Sequence, residues 1–465
     1  MQLLDKRTSR RHFWVVTLAS RLKYAHEHVR LKRSLTLADA TRSRKACQPL
    51  QKRVGLKINA PCAYNSNDSM DQHFCFGVFK NMLSLFRFRA VALSVVIACA
   101  GFAPAALACT SLLYSDANKK FYAGRTMELP MELAYEVSYF PKGTSFGSAA
   151  DKRHVLNFTG RHAFLAVTIP DPVSKDVKVA EGVNDQGLTF SLLAFASTEG
   201  PSATVDKTHA VLAAIDLGAW TLSQFGTVAE VKKALEKQPV MVTSLLPAGV
   251  LKSPFHYTLH DATGKSIVIE FSDGEQNVID NPLGVMTNGP EFSWHMTNLN
   301  NYTHLSNIDR SKLELGGVTF VQPDSGIATA PLPSSNTSVG RFVRAVFYSQ
   351  FAEKANDPSV AFATLSRIMN NFDRPRGITM DNRFRDQLAN ITAPGVTHSR
   401  VYTSEYTSWT ALIDLQRKRL SLRTYNSLNF VDFDLNALTH IKNIRHVKLK
   451  DISNGPRDGT AAFGP

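Results

Sequence analysis

From Thr110 onward, apolar and polar positions alternate in short runs. Thr110 to Tyr114 and Lys120 to Arg125 are separated by Asp116-Ala117-Asn118, a pattern that predicts two strands joined by a hairpin, with Cys109 as the first residue of the first strand. Similar runs at Ala163 to Ile169, Leu188 to Phe195 and Ser266 to Phe271, with a turn at Asn184-Asp185-Gln186-Gly187, predict a largely antiparallel sheet. Helical spacing occupies two places. Thr208 to Phe225 sets Leu212, Ile215 and Leu222 near one face, and Thr227 to Glu230 forms a capping box for a second helix. Val228, Val231 and Leu235 carry that helix's stripe as far as Pro239. The other pair runs from Ser338 to Ala355 and, with Asp357 as cap and Pro358 in the first turn, from Ser359 to Asn371. Strands, helix pair, strands, helix pair, strands predict an α+β domain over 109–452, a four-layer αββα sandwich in which two helix layers enclose two stacked sheets. The segment from Leu299 to Gly340 lacks periodicity and is long for a loop, which fits an interface arm or a lid. Residues 453–465, rich in Gly and Pro, read as a disordered tail.

The first 108 residues follow a different pattern. Residues 1–81 are rich in Arg, Lys, Ser and His without a sustained period, so no packed structure is predicted there. They read either as a targeting arm or as an extension upstream of the true start. Met82 begins a better-formed leader over 82–108: Arg87 and Arg89 as a positive region, an apolar core from Ala90 to Ile97, Pro104 to break a helix, and Ala106-x-Ala108 as a cleavage site. A membrane anchor competes with this reading, because Ala90 to Ala108 approaches spanning length, but Pro104 and the Ala-x-Ala end oppose it. A lipoprotein competes as well, since lipid is attached to a Cys that follows a signal peptide. Against it, Ala106 stands where such signals favour Leu. The reading adopted is cleavage after Ala108 and a periplasmic or secreted product without stable membrane insertion.

Charge sharpens this division. Residues 1–108 hold 18 Lys+Arg against 5 Asp+Glu, leaving 35 against 34 for the remainder. Of the chain's net charge of +14, +13 therefore belongs to the first 108 residues, and the near-neutral body, without a basic stripe, gives no support to nucleic-acid binding. Four of the five cysteines, Cys47, Cys62, Cys75 and Cys99, also lie in the first 108 residues. Cys109 is left alone in the body, so neither a disulfide framework nor a Cys-based metal site is expected.

Cleavage before Cys109 would put a thiol and a free α-amine on one residue, a nucleophile and a base together. Such a residue needs a cation to favour thiolate, a partner to orient the amine and donors for an oxyanion. Arg125, on the strand that pairs back across the hairpin, is the candidate cation, and Glu128 the candidate acceptor for the amine. Either could equally be solvated surface charge.

The motifs now carry a resemblance. Cys109-Thr110, Gly124-Arg125-Thr126-Met127-Glu128, Gly182-Val183-Asn184-Asp185-Gln186-Gly187-Leu188, Asn281-Pro282-Leu283-Gly284-Val285-Met286-Thr287-Asn288, Phe292-Ser293-Trp294-His295 with Asn298-Leu299-Asn300-Asn301-Tyr302, and Gly340-Arg341-Phe342 occur in this order. Together they resemble the choloylglycine hydrolase family of bile salt hydrolases and penicillin V acylases, N-terminal nucleophile amidases of αββα fold. The resemblance covers nearly all of 109–430. It implies hydrolysis of a linear amide (penicillin V, conjugated bile salts or N-acyl homoserine lactones) through an acyl-thioester, without cofactor or metal. By the same resemblance Cys109 is nucleophile and base, Arg125 stands beside the thiol, Asn288 donates to the oxyanion and Arg341 steadies the site charge. Two positions depart from the family pattern. Glu128 stands where the bile salt hydrolases carry Asp, and Ala194 where they carry Asn; Ala194 still offers its backbone N–H to the oxyanion but no side-chain contact to substrate. Met127, Leu129, Phe190 and Phe195 are candidates for an apolar acyl pocket, each equally suited to the core. The family's loop in the 299–340 region embraces a neighbouring subunit, which implies a homotetramer. The rival from another class is a lipid-anchored periplasmic binding protein acylated at Cys109.

Overall fold

The computed structural model describes residues 108–150, 154–170, 177–195, 198–200, 210–243, 254–380 and 401–452. Residues 1–107, which hold the predicted leader apart from Ala108, and the predicted tail lie outside these residues. The strands are β1 (Ala108–Ser115), β2 (Phe121–Met131), β3 (Glu136–Phe140), β4 (Ser145–Ser148), β5 (Leu156–Thr159), β6 (Phe164–Pro170), β7 (Val177–Asn184), β8 (Thr189–Ala194), β9 (Leu212–Ala213), β10 (Val240–Met241), β11 (Phe255–His260), β12 (Ser266–Ser272), β13 (Glu275–Asp280), β14 (Val285–Met286), β15 (Lys312–Leu315), β16 (Val318–Val321), β17 (Val401–Asp414), β18 (Arg419–Thr424), β19 (Val431–Asp434) and β20 (Arg445–Lys448). The helices are α1 (Leu217–Gln224), α2 (Val228–Leu235), α3 (Phe292–Asn298), α4 (Ser338–Phe351) and α5 (Pro358–Asn370).

Two antiparallel sheets form the centre. One has six strands in the order β14-β1-β2-β17-β18-β19, the other eight in the order β13-β12-β11-β8-β7-β6-β3-β20. Helices α4 and α5 cover the six-stranded sheet, α1 covers the eight-stranded one, and Val228, Val231 and Leu235 of α2 join the apolar core on that same side. This is the four-layer αββα sandwich expected from the pattern, and its two sheet-on-helix surfaces and one sheet-on-sheet surface supply two large apolar cores.

Local chemistry explains the turns that set the register. In the β1–β2 hairpin, Asp116 Oδ1 accepts from the backbone N–H of Asn118 and Lys120, both at 2.8 Å, an Asx-type turn. In the β7–β8 hairpin, Asn184 Oδ1 accepts from Gln186 and Leu188, both at 3.0 Å. Gly187 follows at φ 82°, where a Cβ would stand 2.3 Å from the Leu415 carbonyl oxygen, so the position accepts only glycine. The predicted helix starts are capped. Thr227 Oγ1 accepts from Glu230 N–H while Glu230 Oε2 accepts from Gly226 N–H, and Asp357 accepts from Ser359 and Val360.

One expected element is different. The helix predicted from Thr208 is regular only from Leu217, after a single 3-10 turn at Ala214–Asp216. Leu212 and Ala213 instead pair in parallel with Val240 and Met241. Ala210 to Leu217 is nearly all apolar, and a short, fully buried apolar run has no period by which to separate strand from helix. Residues 201–209, the start of that prediction, lie outside the described part. The segment 299–340 is not a featureless loop either: β15 and β16 form a hairpin within it, and Leu313, Leu315, Val318 and Phe320 all stand exposed.

Candidate active site

The site is assembled where β1, β14 and the end of β8 converge. In the β1–β2 register Cys109 faces Met127 and Ser111 faces Arg125. Strand alternation therefore places all four side chains on the surface that looks toward the eight-stranded sheet. The Cys109 thiol is buried, with Met127 Sδ at 3.7 Å and Arg125 Nη2 at 3.6 Å. Burial pushes its pKa up, while the Arg125 guanidinium and the backbone N–H of Ala194 pull it down.

Asn288 lies just past the last residue of β14. Its Oδ1 accepts from the Cys109 backbone N–H at 2.7 Å and from Arg341 Nη2 at 2.6 Å, and its Nδ2 donates to the Ala194 carbonyl at 2.8 Å. Two donors on one atom and an acceptor on the other fix the orientation of this amide. Arg341, buried in the first turn of α4, also donates to the Cys109 carbonyl and, at 2.8 Å, to Thr110 Oγ1. Cys109, Arg125, Ala194, Asn288 and Arg341, scattered over more than two hundred residues of sequence, are thus brought into one connected cluster. Met127 belongs to it. Phe195 stands beside it, stacked on His256 at 4.8 Å between ring centres and facing the Gly289 backbone.

Three expected residues are placed differently. Glu128 alternates with Met127 and so lies on the helix-facing side of β2. It accepts from Thr407 Oγ1 at 3.2 Å, and among the described residues no hydrogen bond joins it to Cys109, whose N–H is taken by Asn288. Burial raises the Glu128 carboxyl to about 7, against the pull of Arg341. Leu129 is buried on the inward side of β2, part of the core between the sheets. Phe190 does not reach the site: it points to the helix-facing side of β8 and stacks on Tyr257 at 5.5 Å. Both faces of this sheet are buried, so hydrophobicity alone did not reveal which way Phe190 turned.

Glu181 was missed by sequence reasoning. On the inward face of β7 it lies 3.5 Å from Arg125 Nε, both side chains fully buried. Burial raises its carboxyl to about 7 despite Arg125. Arg125 also donates to the Leu192 carbonyl and packs over the Trp409 ring at 4.9 Å. An acidic residue breaking the apolar alternation of Val177 to Asn184 was the available signal.

A buried cysteine whose nitrogen and sulfur are both addressed by polar side chains is thus set between the two antiparallel sheets of an αββα sandwich. The model of the linear amide C–N hydrolases, choloylglycine hydrolase family, matches residues 109–448, and the chain belongs to this family of linear amide hydrolases. It is similar to a bile salt hydrolase/transferase of Clostridium perfringens, 27% identical over 326 residues, covering 68% of this chain and 96% of the relative. It is similar as well to a penicillin V acylase of Pectobacterium atrosepticum, 27% identical over 390 residues, covering 80% of this chain and 88% of the relative. Among solved structures, a variant of conjugated bile acid hydrolase from Clostridium perfringens superposes with a TM-score of 0.63 at 23% identity, covering 76% of this chain and all of the other. Penicillin V acylase from Agrobacterium tumefaciens gives 0.58 at 22%, with 75% and 95% covered. These superpositions show the shared fold.

Proposed function

We propose that, after cleavage of the Ala108–Cys109 bond, this protein hydrolyses linear amides with Cys109 as an N-terminal nucleophile. The observation that carries the reading is the double engagement of Cys109: Arg125 Nη2 at its sulfur and Asn288 Oδ1 at its nitrogen. Cleavage would turn that nitrogen into an amine already held by Asn288. The amine takes the thiol proton, and Arg125 stabilises the thiolate, with Glu181 as the buried carboxyl beside the guanidinium. The thiolate attacks the substrate carbonyl and the C–N bond breaks as the ammonium returns its proton to the leaving amine. Water then cleaves the acyl-thioester, releasing a carboxylic acid and restoring the thiol.

Asn288 Nδ2 has two hydrogens, and among the described residues only one is engaged, by the Ala194 carbonyl, which leaves the second for the oxyanion together with the Ala194 N–H. Each such donor typically lowers the barrier by roughly 3 to 4 kcal/mol. Arg341 neutralises the Asn288 Oδ1 and Cys109 carbonyl side of the cluster.

Names of relatives suggest penicillin V and conjugated bile salts as substrates, with N-acyl homoserine lactones a third class. Ala194, which offers no side-chain hydrogen bond to a bile salt, favours the acylase-type substrate. We take the product to be exported to the periplasm. Lipid attachment at Cys109 fits poorly, because the thiol is buried between the sheets. The exposed apolar side chains of β15 and β16 support assembly, and a homotetramer is the expected species by light scattering.

Intact mass of the exported protein should begin at an unmodified Cys109, and penicillin V hydrolysis should be abolished by Cys109→Ala. Full activity in Cys109→Ala would overturn the assignment, and a lipid adduct at Cys109 would favour the anchored binding protein.

A further inference from the structure

The turn that carries Asn288 is tied down by two buried histidines that no step above uses. Ladder pairing of β14 with β1 stops at Met286 opposite Ser111, so the backbone of Thr287 and Asn288 lies beyond the last register pair. Side chains take over there. His256 Nε2 stands 2.8 Å from the Thr287 carbonyl, and His295 Nε2 stands 2.9 Å from the Asn288 carbonyl. The Asn288 N–H goes to Ser338 Oγ at 2.9 Å. A carbonyl oxygen only accepts, so each Nε2 carries a hydrogen and each imidazole is the donor.

Both rings are themselves immobilised. His256 Nδ1 faces Glu270 Oε1 at 3.0 Å, and both oxygens of Glu270 accept from the Phe292 N–H at 3.1 Å. That carboxylate therefore links β12, β11 and the start of α3. Phe195 stacks on the face of His256 with the planes 4° apart. Phe342 stacks on His295 at 4.5 Å with the planes 13° apart. His295 is fully buried and its Nδ1 has no protein partner among the described residues, which suits a neutral ring protonated only at Nε2. Its pKa is accordingly lowered to about 4 by burial.

We propose that His256 and His295 are positioning residues: they clamp consecutive carbonyls of the 287–288 turn so that the Asn288 amide stays between the Cys109 nitrogen and the Ala194 carbonyl, aimed at the oxyanion. This rests on the reading of Asn288 as an oxyanion donor. Among the described residues neither imidazole bonds to the Cys109 thiol, and each is placed to act through the turn. The demand is geometric, because a displacement of about 1 Å in a catalytic donor can cost on the order of 100-fold in rate.

The test uses the matured enzyme and whichever of penicillin V, a glycine-conjugated bile salt and an N-acyl homoserine lactone it cleaves fastest. His295→Leu and His256→Leu, which fill the space but donate nothing, should lower kcat by about 10- to 100-fold with KM nearly unchanged. His295→Gln and His256→Gln keep a donor near Nε2 and should recover most of that loss. Leu variants that fold and turn over at the wild-type rate would overturn the clamp, as would Gln variants no better than Leu. Should the Leu variants fail to fold, the Gln variants decide: near-wild-type kcat supports the clamp, and a loss equal to that of Asn288→Ala refutes it. Asn288→Ala is the separate control. If it keeps the wild-type kcat, the oxyanion reading itself fails; if it is impaired while the Leu variants are not, only the clamp fails.

Discussion

The two faces of the eight-stranded sheet are both buried, yet they are made of different chemistry. On the side that meets α1 and α2, Phe164, Val179, Phe190, Tyr257, Leu259, Ile267, Ile269 and Phe271 form a nearly all-apolar core. On the side that meets the other sheet, the alternate positions of the same strands carry Glu181, Ser191, His256, His260 and Glu270, all buried. Buried charge destabilises unless it is paired, so the inward face is the costlier one. It is also the face that meets Cys109 and Arg125. The molecule therefore keeps stability and chemistry on opposite sides of one sheet: the outer face can be optimised for packing because the inner face carries the polar groups the site requires.

This contrast can be broken most directly at Glu181. Glu181→Leu would leave the Arg125 guanidinium buried without its carboxyl partner and should cost about 3 to 5 kcal/mol of stability. The folded fraction should also lose turnover, since Arg125 stands at the thiol. Chemical denaturation and kcat per folded molecule check both, and a variant as stable and active as wild type would mean the pair supports nothing. On the other face, Phe190→Ala should cost a similar 3 to 5 kcal/mol, about the usual loss for a core Phe. Active-site titration should nevertheless give an unchanged kcat per folded molecule; a selective fall in kcat would return Phe190 to the substrate pocket.

The six-stranded sheet shows how far the contrast extends, because its helix-facing side also buries a carboxyl, Glu128. Its pKa is raised by burial from 4.5 to about 7, so the folded state binds the proton more tightly than the unfolded chain. Its contribution is then fully present below about pH 4.5 and is lost as pH rises through about 7. His260 and His295, both lowered to about 4 by burial, act with the opposite sign over the lower part of that window. The difference between wild type and Glu128→Gln isolates the carboxyl. Relative to the variant, wild type should lose on the order of 1 to 3 kcal/mol between pH 4.5 and 8, read as Tm across that range. A pH-independent difference would show that Glu128 is not held protonated. The smallest effect is expected at Met127, beside the thiol: Met127→Leu, close in volume, should change stability by less than about 1.5 kcal/mol. A change in KM without one in kcat would assign Met127 to the acyl pocket.

Much of the architecture was legible before any fold was built. Asp116 and Asn184 marked their hairpins because a short side-chain acceptor stabilises the turn locally. Thr227 and Asp357 marked helix starts because unpaired N–H groups at a helix start need an acceptor. The start of α1 was not legible, since Ala210 to Leu217 is apolar at every position but Asp216. Among candidate site residues, Cys109 and Arg125 were picked out by their positions and Asn288 and Arg341 through the resemblance, and the structure brings the four into one cluster. Glu128 and Phe190 were placed by motif and by hydrophobicity, neither of which reports the face of a strand that is buried on both sides.

By itself, then, the sequence determined what local physics and short motifs encode: the alternation that makes strands, the turns and caps that end them, the single cysteine of residues 109–465, and membership of a family. Only the tertiary structure decided which side chains share a surface. Glu181 meets Arg125 across two sheets, His256 and His295 reach one turn from a strand and a helix, and Glu128 is turned away from Cys109 by the pleat of its own strand. Those relations depend on how separate sheets stack, a matter of long-range packing, and no window of neighbouring residues contains them.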